Sequence, residues 1–299
     1  MADQFRSGYV SLTGRPNVGK STLLNSILGE KVSIVTSRAQ TTRNRIIGVK
    51  NLPEAQVVFL DTPGIHKPKH RLGEMMVREA LDSVKEVDLI LFLVEPQMPG
   101  SGDFFVIEAL KGLEIPVFLI INKADSVRKS RLLPVIEAFN GLYPFREIIP
   151  LSALTGDGVD LLLESVVRYL PEGPKFYPDD IVTDQIERFM VSEIIREKIM
   201  AKTKEEVPHS VAVEVEVWTE KVSESGKSVI SIGANILVER DGQKGIIIGK
   251  GGLMLKEIGS SAREDIERFL DTKVFLELWV KVRKDWRSNE SILRDLGFQ

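Results

Sequence analysis

Gly14-Arg15-Pro16-Asn17-Val18-Gly19-Lys20-Ser21 lies between a strand-like run, Tyr9-Val10-Ser11-Leu12, and a helical run from Ser21 to Leu28 that stops at Gly29. A glycine, four free residues and then Gly-Lys-Ser is the spacing of a phosphate-cradling loop. Gly14 and Gly19 allow turn conformations that bulkier residues resist. The loop amides, through Asn17, Val18 and Gly19 into Lys20, Ser21 and Thr22, then face inward around a β-phosphate. Lys20 sets a point charge against the β/γ oxygens, and the Ser21 hydroxyl is placed to ligate Mg²⁺. A helix beginning at this point adds its own anion-attracting N-terminus. A chance glycine turn would not come with both the strand and the helix.

The rest of the chain bounds the class. Its 299 residues suffice for one large or two moderate domains, and 43 % hydrophobic with 28 % charged residues is ordinary for a globular protein. There are no cysteines, so disulfides and thiolate metal sites are excluded and an intracellular setting is expected. Met1-Ala2-Asp3-Gln4-Phe5-Arg6 has no apolar leader, and the longest apolar runs, Leu89 to Val94 and Ile115 to Ile121, are strand-length. A cytoplasmic protein without a transmembrane segment is expected, with peripheral contact at the inner face of the membrane left open. A net charge of −3 argues against bulk, non-specific nucleic-acid binding.

From Gly8 to about Leu170, strands alternate with helical patterns, which predicts a mainly parallel sheet covered by helices. The strands are Tyr9–Leu12, Val57–Leu60, Leu89–Val94, Val117–Ile121 and Ile148–Leu151, and three of them end where a polar motif begins. Open α/β sheets bind ligands at those carboxyl ends. Asp61-Thr62-Pro63-Gly64 follows the second. The Asp61 carboxylate can hold the Mg²⁺ hydration shell, and the Gly64 amide can reach a γ-phosphate. Asn122-Lys123-Ala124-Asp125 follows the fourth. A carboxylate at Asp125 accepts both N1–H and N2–H₂ of guanine, a donor pair adenine lacks, so it sets specificity. Asn122 can bond the base edge and brace the phosphate loop, while the Lys123 stem lies along the ring. Ser152-Ala153 follows the last strand and would offer the Ala153 N–H to guanine O6.

These elements, in this order, resemble the translation-factor-related GTPases. Gln40-Thr41-Thr42-Arg43-Asn44-Arg45 sits where that superfamily keeps its first switch. The resemblance implies a threonine that meets Mg²⁺ only when the γ-phosphate is present: Thr42, with Thr41 in reserve. Lys20, Thr42 and Gly64 are then the residues around the reacting phosphate. One departure matters: where Ras has a water-orienting glutamine after Asp-x-x-Gly, this chain has Ile65. His66 is a weaker candidate for that task. Without a glutamine or an arginine finger, unassisted turnover should lie near or below the ~10⁻⁴–10⁻³ s⁻¹ of unassisted Ras. Related GTPases with asparagine at the position of Asn17 bind K⁺ beside the phosphates; the alternative is that Asn17 only stabilises the turn.

Leu170 to Asp180 has three prolines and a glycine and reads as a linker. Beyond it the expected order changes: a helix over 184–202, strands over 211–217 and 228–240, then Ile246-Ile247-Ile248-Gly249-Lys250-Gly251-Gly252. A helix over 253–269, a strand over 274–282 and a closing helix over 285–296 follow. This is the order of a type II KH domain, whose GXXG loop clamps the backbone of about four nucleotides. Gly249, Gly251 and Gly252 allow close approach, Lys250 supplies charge, and Ile246 to Ile248 form an apolar platform for unstacked bases. Residues 176–299 carry 19 Lys/Arg against 23 Asp/Glu, a net charge of −4. Basic residues concentrate at Lys281, Arg283, Lys284 and Arg287, either bordering an RNA groove or marking a solvated strand end. Selective single-strand recognition suits this pattern better than general coating.

A P-loop domain with Thr-Thr-Arg-x-Arg and Asp-Thr-Pro-Gly, a Pro-rich linker and a C-terminal type II KH domain resembles the Era family of bacterial GTPases. The resemblance extends over the whole chain, including Ile194-Ile195-Arg196-Glu197-Lys198-Ile199. It implies an α/β GTPase domain (1–170), a linker (171–180) and an α+β KH domain (181–299). It also implies GTP/GDP and Mg²⁺ as ligands and small-subunit ribosomal RNA near its 3′ end as partner. The expected role is a monomeric switch in 30S subunit assembly whose RNA affinity follows the bound nucleotide. The rival is a membrane- or protein-directed signalling GTPase using its KH fold as an interaction module.

Overall fold

The computed structural model describes residues 5–38, 40–68, 70–222 and 228–298. The N-terminal stretch Met1–Gln4 lies outside them. The chain divides into two compact units that change over between Asp184 and Gln185.

The first unit runs β1 (Arg6–Gly14), α1 (Lys20–Leu28), β2 (Ile46–Asn51), β3 (Ala55–Asp61), α2 (Arg71–Ser83), β4 (Leu89–Val94), α3 (Ser101–Leu110), β5 (Val117–Ile121), α4 (Leu132–Asn140), β6 (Glu147–Pro150) and α5 (Val159–Tyr169). Its sheet is ordered β2-β3-β1-β4-β5-β6, with every pair parallel except β2–β3. The central strands are buried on both faces, which is why β4 and β5 read as unbroken apolar runs. Chain order reverses at β1, between β3 and β4, so a crevice opens there at the carboxyl ends.

Three expectations change. β1 is longer than its apolar run because Ser7, Ser11 and Thr13 are buried inside it. β2 was not expected as a strand at all. The stretch 171–180 is also no free linker. The buried Gln56 side chain accepts the N–H groups of Phe176 (2.7 Å) and Tyr177 (2.9 Å) and donates to Tyr177 O (2.8 Å). The Phe176 ring packs 4.9 Å from that of Tyr9. Further on, the Val49 N–H bonds Val182 O at 2.8 Å, so this segment lies along the edge of β2.

The second unit comprises α6 (Glu187–Lys202), α7 (Val207–Ser210), β7 (Ala212–Val222), β8 (Ser228–Val238), α8 (Asp241–Ile248), α9 (Leu253–Leu270), β9 (Lys273–Val282) and α10 (Glu290–Asp295). The sheet is β7-β8-β9, antiparallel then parallel. Isoleucines and valines of α6, β8, α8 and α9 fill one core with Val274 and Val280 of β9. This is the type II KH arrangement, with three corrections. A helix, α8, leads into the glycine loop; Gln243 caps it by accepting the N–H groups of Glu239 (2.9 Å) and Arg240 (3.1 Å). Ile246 to Ile248 is therefore a helical turn, with Ile247 in the core and only Ile246 well exposed. The closing helix is broken, because Trp286 is buried and donates Nε1–H to Ser210 O at 3.0 Å. α10 starts afresh at Asn289, whose side chain accepts the N–H groups of Ser291 and Ile292.

Candidate functional site

The loop Gly14–Ser21 joins β1 to α1, and its shape is held by backbone geometry. Gly14 and Gly19 have φ of 146° and 97°, where a Cβ would collide with Leu93 O and Asn122 Nδ2 respectively. Asn17 is exposed with φ 69°, a left-handed conformation that asparagine tolerates better than most residues, so the turn itself favours asparagine here. Val18 is buried, while Thr22 is half-buried on the first turn of α1. Lys20 Nζ donates to Arg15 O (3.1 Å) and Gly14 O (3.4 Å), which holds the buried ammonium at the mouth of the loop.

Burial pushes the Lys20 ammonium down to about 8, and the nearby Asp61 carboxylate offsets this in part. Between pH 8 and the ordinary lysine value the nucleotide-free fold holds fewer protons than the unfolded chain, so its stability rises with pH there. A bound polyphosphate would favour the charged form, so nucleotide binding is expected to take up a proton above pH 8. Affinity for GDP is expected to fall by up to about tenfold per pH unit above that point. Titration calorimetry between pH 7 and 9.5 checks this; a flat affinity would show that Lys20 stays charged in the free protein.

Four oxygen groups converge beside Lys20. Asp61 Oδ2 accepts hydrogen bonds from Ser21 Oγ (2.7 Å), Ser33 Oγ (3.0 Å) and Thr42 Oγ1 (3.1 Å), and the Ser21 and Thr42 hydroxyls are 2.8 Å apart. Asp61 Oδ1 is buried without a hydrogen-bond partner. Burial pushes the Asp61 carboxyl above the usual range, against the pull of Lys20 and the three hydroxyls. An all-oxygen set around a buried carboxylate with one orphaned oxygen fits Mg²⁺, a hard cation. Ser21, Thr42 and Asp61 were expected here; Ser33 was not, since a lone serine in a polar loop carries no signal. Asn25 fixes it, donating to Ser33 O (2.7 Å) and accepting the Val32 and Ser33 N–H groups (both 3.0 Å).

Of the paired threonines, it is the Thr42 hydroxyl that meets Ser21 and Asp61. Thr42→Ala is expected to slow GTP hydrolysis about 100-fold or more, because it removes one of the hydroxyls gathered on the Asp61 carboxylate. Thr41→Ala should stay within about threefold. Single-turnover hydrolysis compares the two, and equal losses would remove the distinction.

After β3 the chain presses on the phosphate loop. A Cβ on Gly64 would stand 2.6 Å from Pro16 N, so Gly64 is where backbone must meet backbone. The Ile65 N–H bonds Gly14 O at 3.0 Å, and the Ile65 side chain is buried in the core under the sheet. An apolar side chain buried there cannot orient an attacking water. His66 Nε2 lies 3.4 Å from Gln40 Nε2.

At the opposite end of the crevice, Asn122 uses its side chain inside the protein. Nδ2 donates to Val18 O (2.8 Å), and Oδ1 accepts the N–H groups of Lys123 (2.8 Å) and Ala153 (2.9 Å). The amide expected to face guanine O6 thus bonds Asn122 here. Buried Ser152 closes its own loop, donating N–H to Asp157 O at 2.9 Å. Asp125 is exposed on a single turn, Ala124–Ser126.

In the second unit, Gly249 (φ 70°), Gly251 (φ 60°) and Gly252 (φ 79°) all have positive φ, with exposed Lys250 among them. A groove of about 390 Å³ begins at Gly252 and runs between α9 and β9 over Leu255, Leu276 and Leu278. Its basic residues are Lys256 and Arg263, which the sequence reading did not single out. Lys256, Gly259, Ser260 and Arg263 repeat at i, i+3, i+4 and i+7, one face of α9. The expected cluster is elsewhere and partly engaged. Lys281 pairs with Glu216 Oε1 at 3.1 Å and Arg287 with Glu239, while Arg283 and Lys284 are exposed. Among the described residues, no helix is long and apolar enough to cross a membrane.

Comparison with known proteins matches this division. Residues 9–123 fit the family model for a 50S ribosome-binding GTPase, and residues 206–287 fit that for a KH domain. GTPase Era of Geobacter metallireducens is 58 % identical over 98 % of both chains. GTPase Era of Clostridium botulinum is 52 % identical over 99 % of both. A crystal structure of Era with MgGDPNP and nucleotides 1506–1542 of 16S ribosomal RNA superposes with a TM-score of 0.94 at 44 % identity. It covers 98 % of this chain and 99 % of that one. A variant of Aquifex aeolicus Era bound to GDP and AlF₄⁻ gives 0.93 at the same identity, covering 98 % and 99 %. With a phosphate loop, a buried carboxylate–hydroxyl cluster and a GXXG groove in that order, the chain belongs to the GTPase Era family.

Proposed function

We propose that this protein is a Mg²⁺-dependent GTPase that holds the single-stranded 3′ region of small-subunit ribosomal RNA in the α9–β9 groove and acts in 30S subunit assembly. The carrying observation is the near-complete superposition on an Era that holds MgGDPNP and 16S ribosomal RNA together. In this reading the Gly14–Ser21 amides and Lys20 bind the phosphates, and Ser21, Thr42 and Asp61 hold Mg²⁺, which neutralises charge on the β/γ oxygens when bound. Gly64 closes on the loop from the γ side, and Asp125 reads the base. Gly249–Gly252 lets the RNA backbone approach, with Lys250, Lys256 and Arg263 supplying charge and Leu255, Leu276 and Leu278 an apolar floor. A cytoplasmic monomer suits these parts. The signalling alternative has no observation in its favour.

The test is GTP turnover with and without short single-stranded RNAs, in K⁺ and again in Na⁺. Stimulation by 3′-end sequences over scrambled ones is expected, and a requirement for K⁺ would give Asn17 a role beyond its turn. Intact turnover with no RNA binding in either nucleotide state would overturn the RNA half of the proposal.

A further inference from the structure

Glu95 follows β4 at the rim of the crevice, where two cations, Lys123 and Arg15, face it and Asp103 in turn holds Arg15. Its carboxylate ion-pairs with Lys123 Nζ, which also donates to Asn17 O of the phosphate loop at 2.8 Å. Its other oxygen faces Arg15 Nη2 of that loop at 3.8 Å. Arg15 Nε donates to Asp103 Oδ1 at 2.7 Å, and Asp103, buried on the first turn of α3, accepts the Gly100 N–H through Oδ2 at 2.9 Å. A Cβ on Gly102 would come within 2.5 Å of Arg15 Cδ, so α3 leaves room for that arginine only because glycine stands there. Lys123 itself has φ 60°, a conformation lysine rarely adopts. Its backbone is fixed by Asn122 Oδ1 and its head group by Glu95 and Asn17.

We propose that Glu95 is a positioning residue for the guanine nucleotide: it holds the Lys123 stem extended beside the base and so sets how long GDP and GTP stay bound. The proposal rests on reading Asn122–Asp125 as the guanine-recognition motif. Without the carboxylate, the Lys123 ammonium keeps one carbonyl partner, and the four-carbon stem must be ordered each time a nucleotide binds. Arg15 and Asp103 tie Glu95 to the phosphate loop and α3, so the base and phosphate ends of the crevice share one brace. Lys123 and Glu95 are 41 % and 31 % exposed, which moderates the effect.

The experiment is release of a fluorescent GDP analogue from the full chain. Glu95→Ala is expected to speed release roughly three- to tenfold. Glu95→Gln, which keeps the shape and an acceptor, should speed it about two- to threefold and carries the test if the alanine variant does not fold. Lys123→Met keeps the apolar stem but removes the amine. In that background Glu95→Ala should change release by less than about twofold, because the partner is already gone. Unchanged release in both Glu95 variants, or an undiminished effect in the Lys123→Met background, overturns the proposal. Unchanged release in Lys123→Met overturns it as well, whereas unchanged GDP affinity in Asp125→Asn means that the guanine-motif reading fails instead, so the two failures are distinguishable.

Discussion

Asp125→Asn is expected to lower affinity for GDP and GTP by about 10³-fold or more and to make xanthosine diphosphate a ligand. Asn122 directs its side chain to Val18, Lys123 and Ala153, which leaves the exposed Asp125 carboxylate as the group free to read the base. A carboxylate accepts the two N–H groups on the guanine edge. An amide turns one acceptor into a donor that opposes a guanine N–H but suits the carbonyl that xanthine carries there. Leaving a desolvated donor unpaired is what makes such discrimination steep. Because Asp125 lies exposed on a single turn, the fold should lose no more than about 0.5 kcal/mol. Competition binding with both diphosphates reads the result. If GDP affinity stayed within about threefold of the parent, some other residue would be reading the base.

The parts of the site that were legible are those that backbone geometry forces. Gly14 and Gly19 stand where any Cβ would collide, and Gly64 where backbone meets Pro16, so the spacing of glycines records the folded shape. Asp61 and Asp125 are legible because each follows a buried apolar strand, β3 or the β5 turn, in a sheet whose ligands bind at that end.

What was not legible depends on contacts distant in sequence. β2 is an edge strand whose Gly48 leaves room for Leu24 and Leu28 of α1, each 2.7 Å from where its Cβ would be. Nothing local distinguishes that from a loop. α8 contains Gly242 and Gly245, each poor in a helix, and is held instead by the Gln243 cap and buried Ile247. Ser33 became part of the Asp61 cluster only through Asn25. Lys256 and Arg263 look like ordinary solvated helix charges until α9 packs beside β9. The basic run after β9 stands out in the sequence because its charges are close together, yet buried Trp286 and the Arg287–Glu239 pair show part of it serving the fold.

The glycine loop supplies the other large effect. Gly251→Asp with Gly252→Asp is expected to weaken RNA binding about 100-fold or more while leaving GTP binding within about twofold. No atom lies within 4 Å of a Cβ built at either position, so the carboxylates meet open space and the core is undisturbed. What they change is charge: two anions stand where phosphates must approach amides and Lys250. The positive φ values of 60° and 79° add strain of roughly 1–2 kcal/mol per residue, a cost to stability that must be told apart from charge. Gly252→Asn does so, since asparagine tolerates the left-handed region and carries no charge. It should retain most RNA affinity. An equal loss with asparagine would mean that backbone freedom, not phosphate approach, is what the loop provides. Retained affinity in the double aspartate variant would remove the GXXG loop from the RNA site and leave the α9–β9 groove to hold the strand alone.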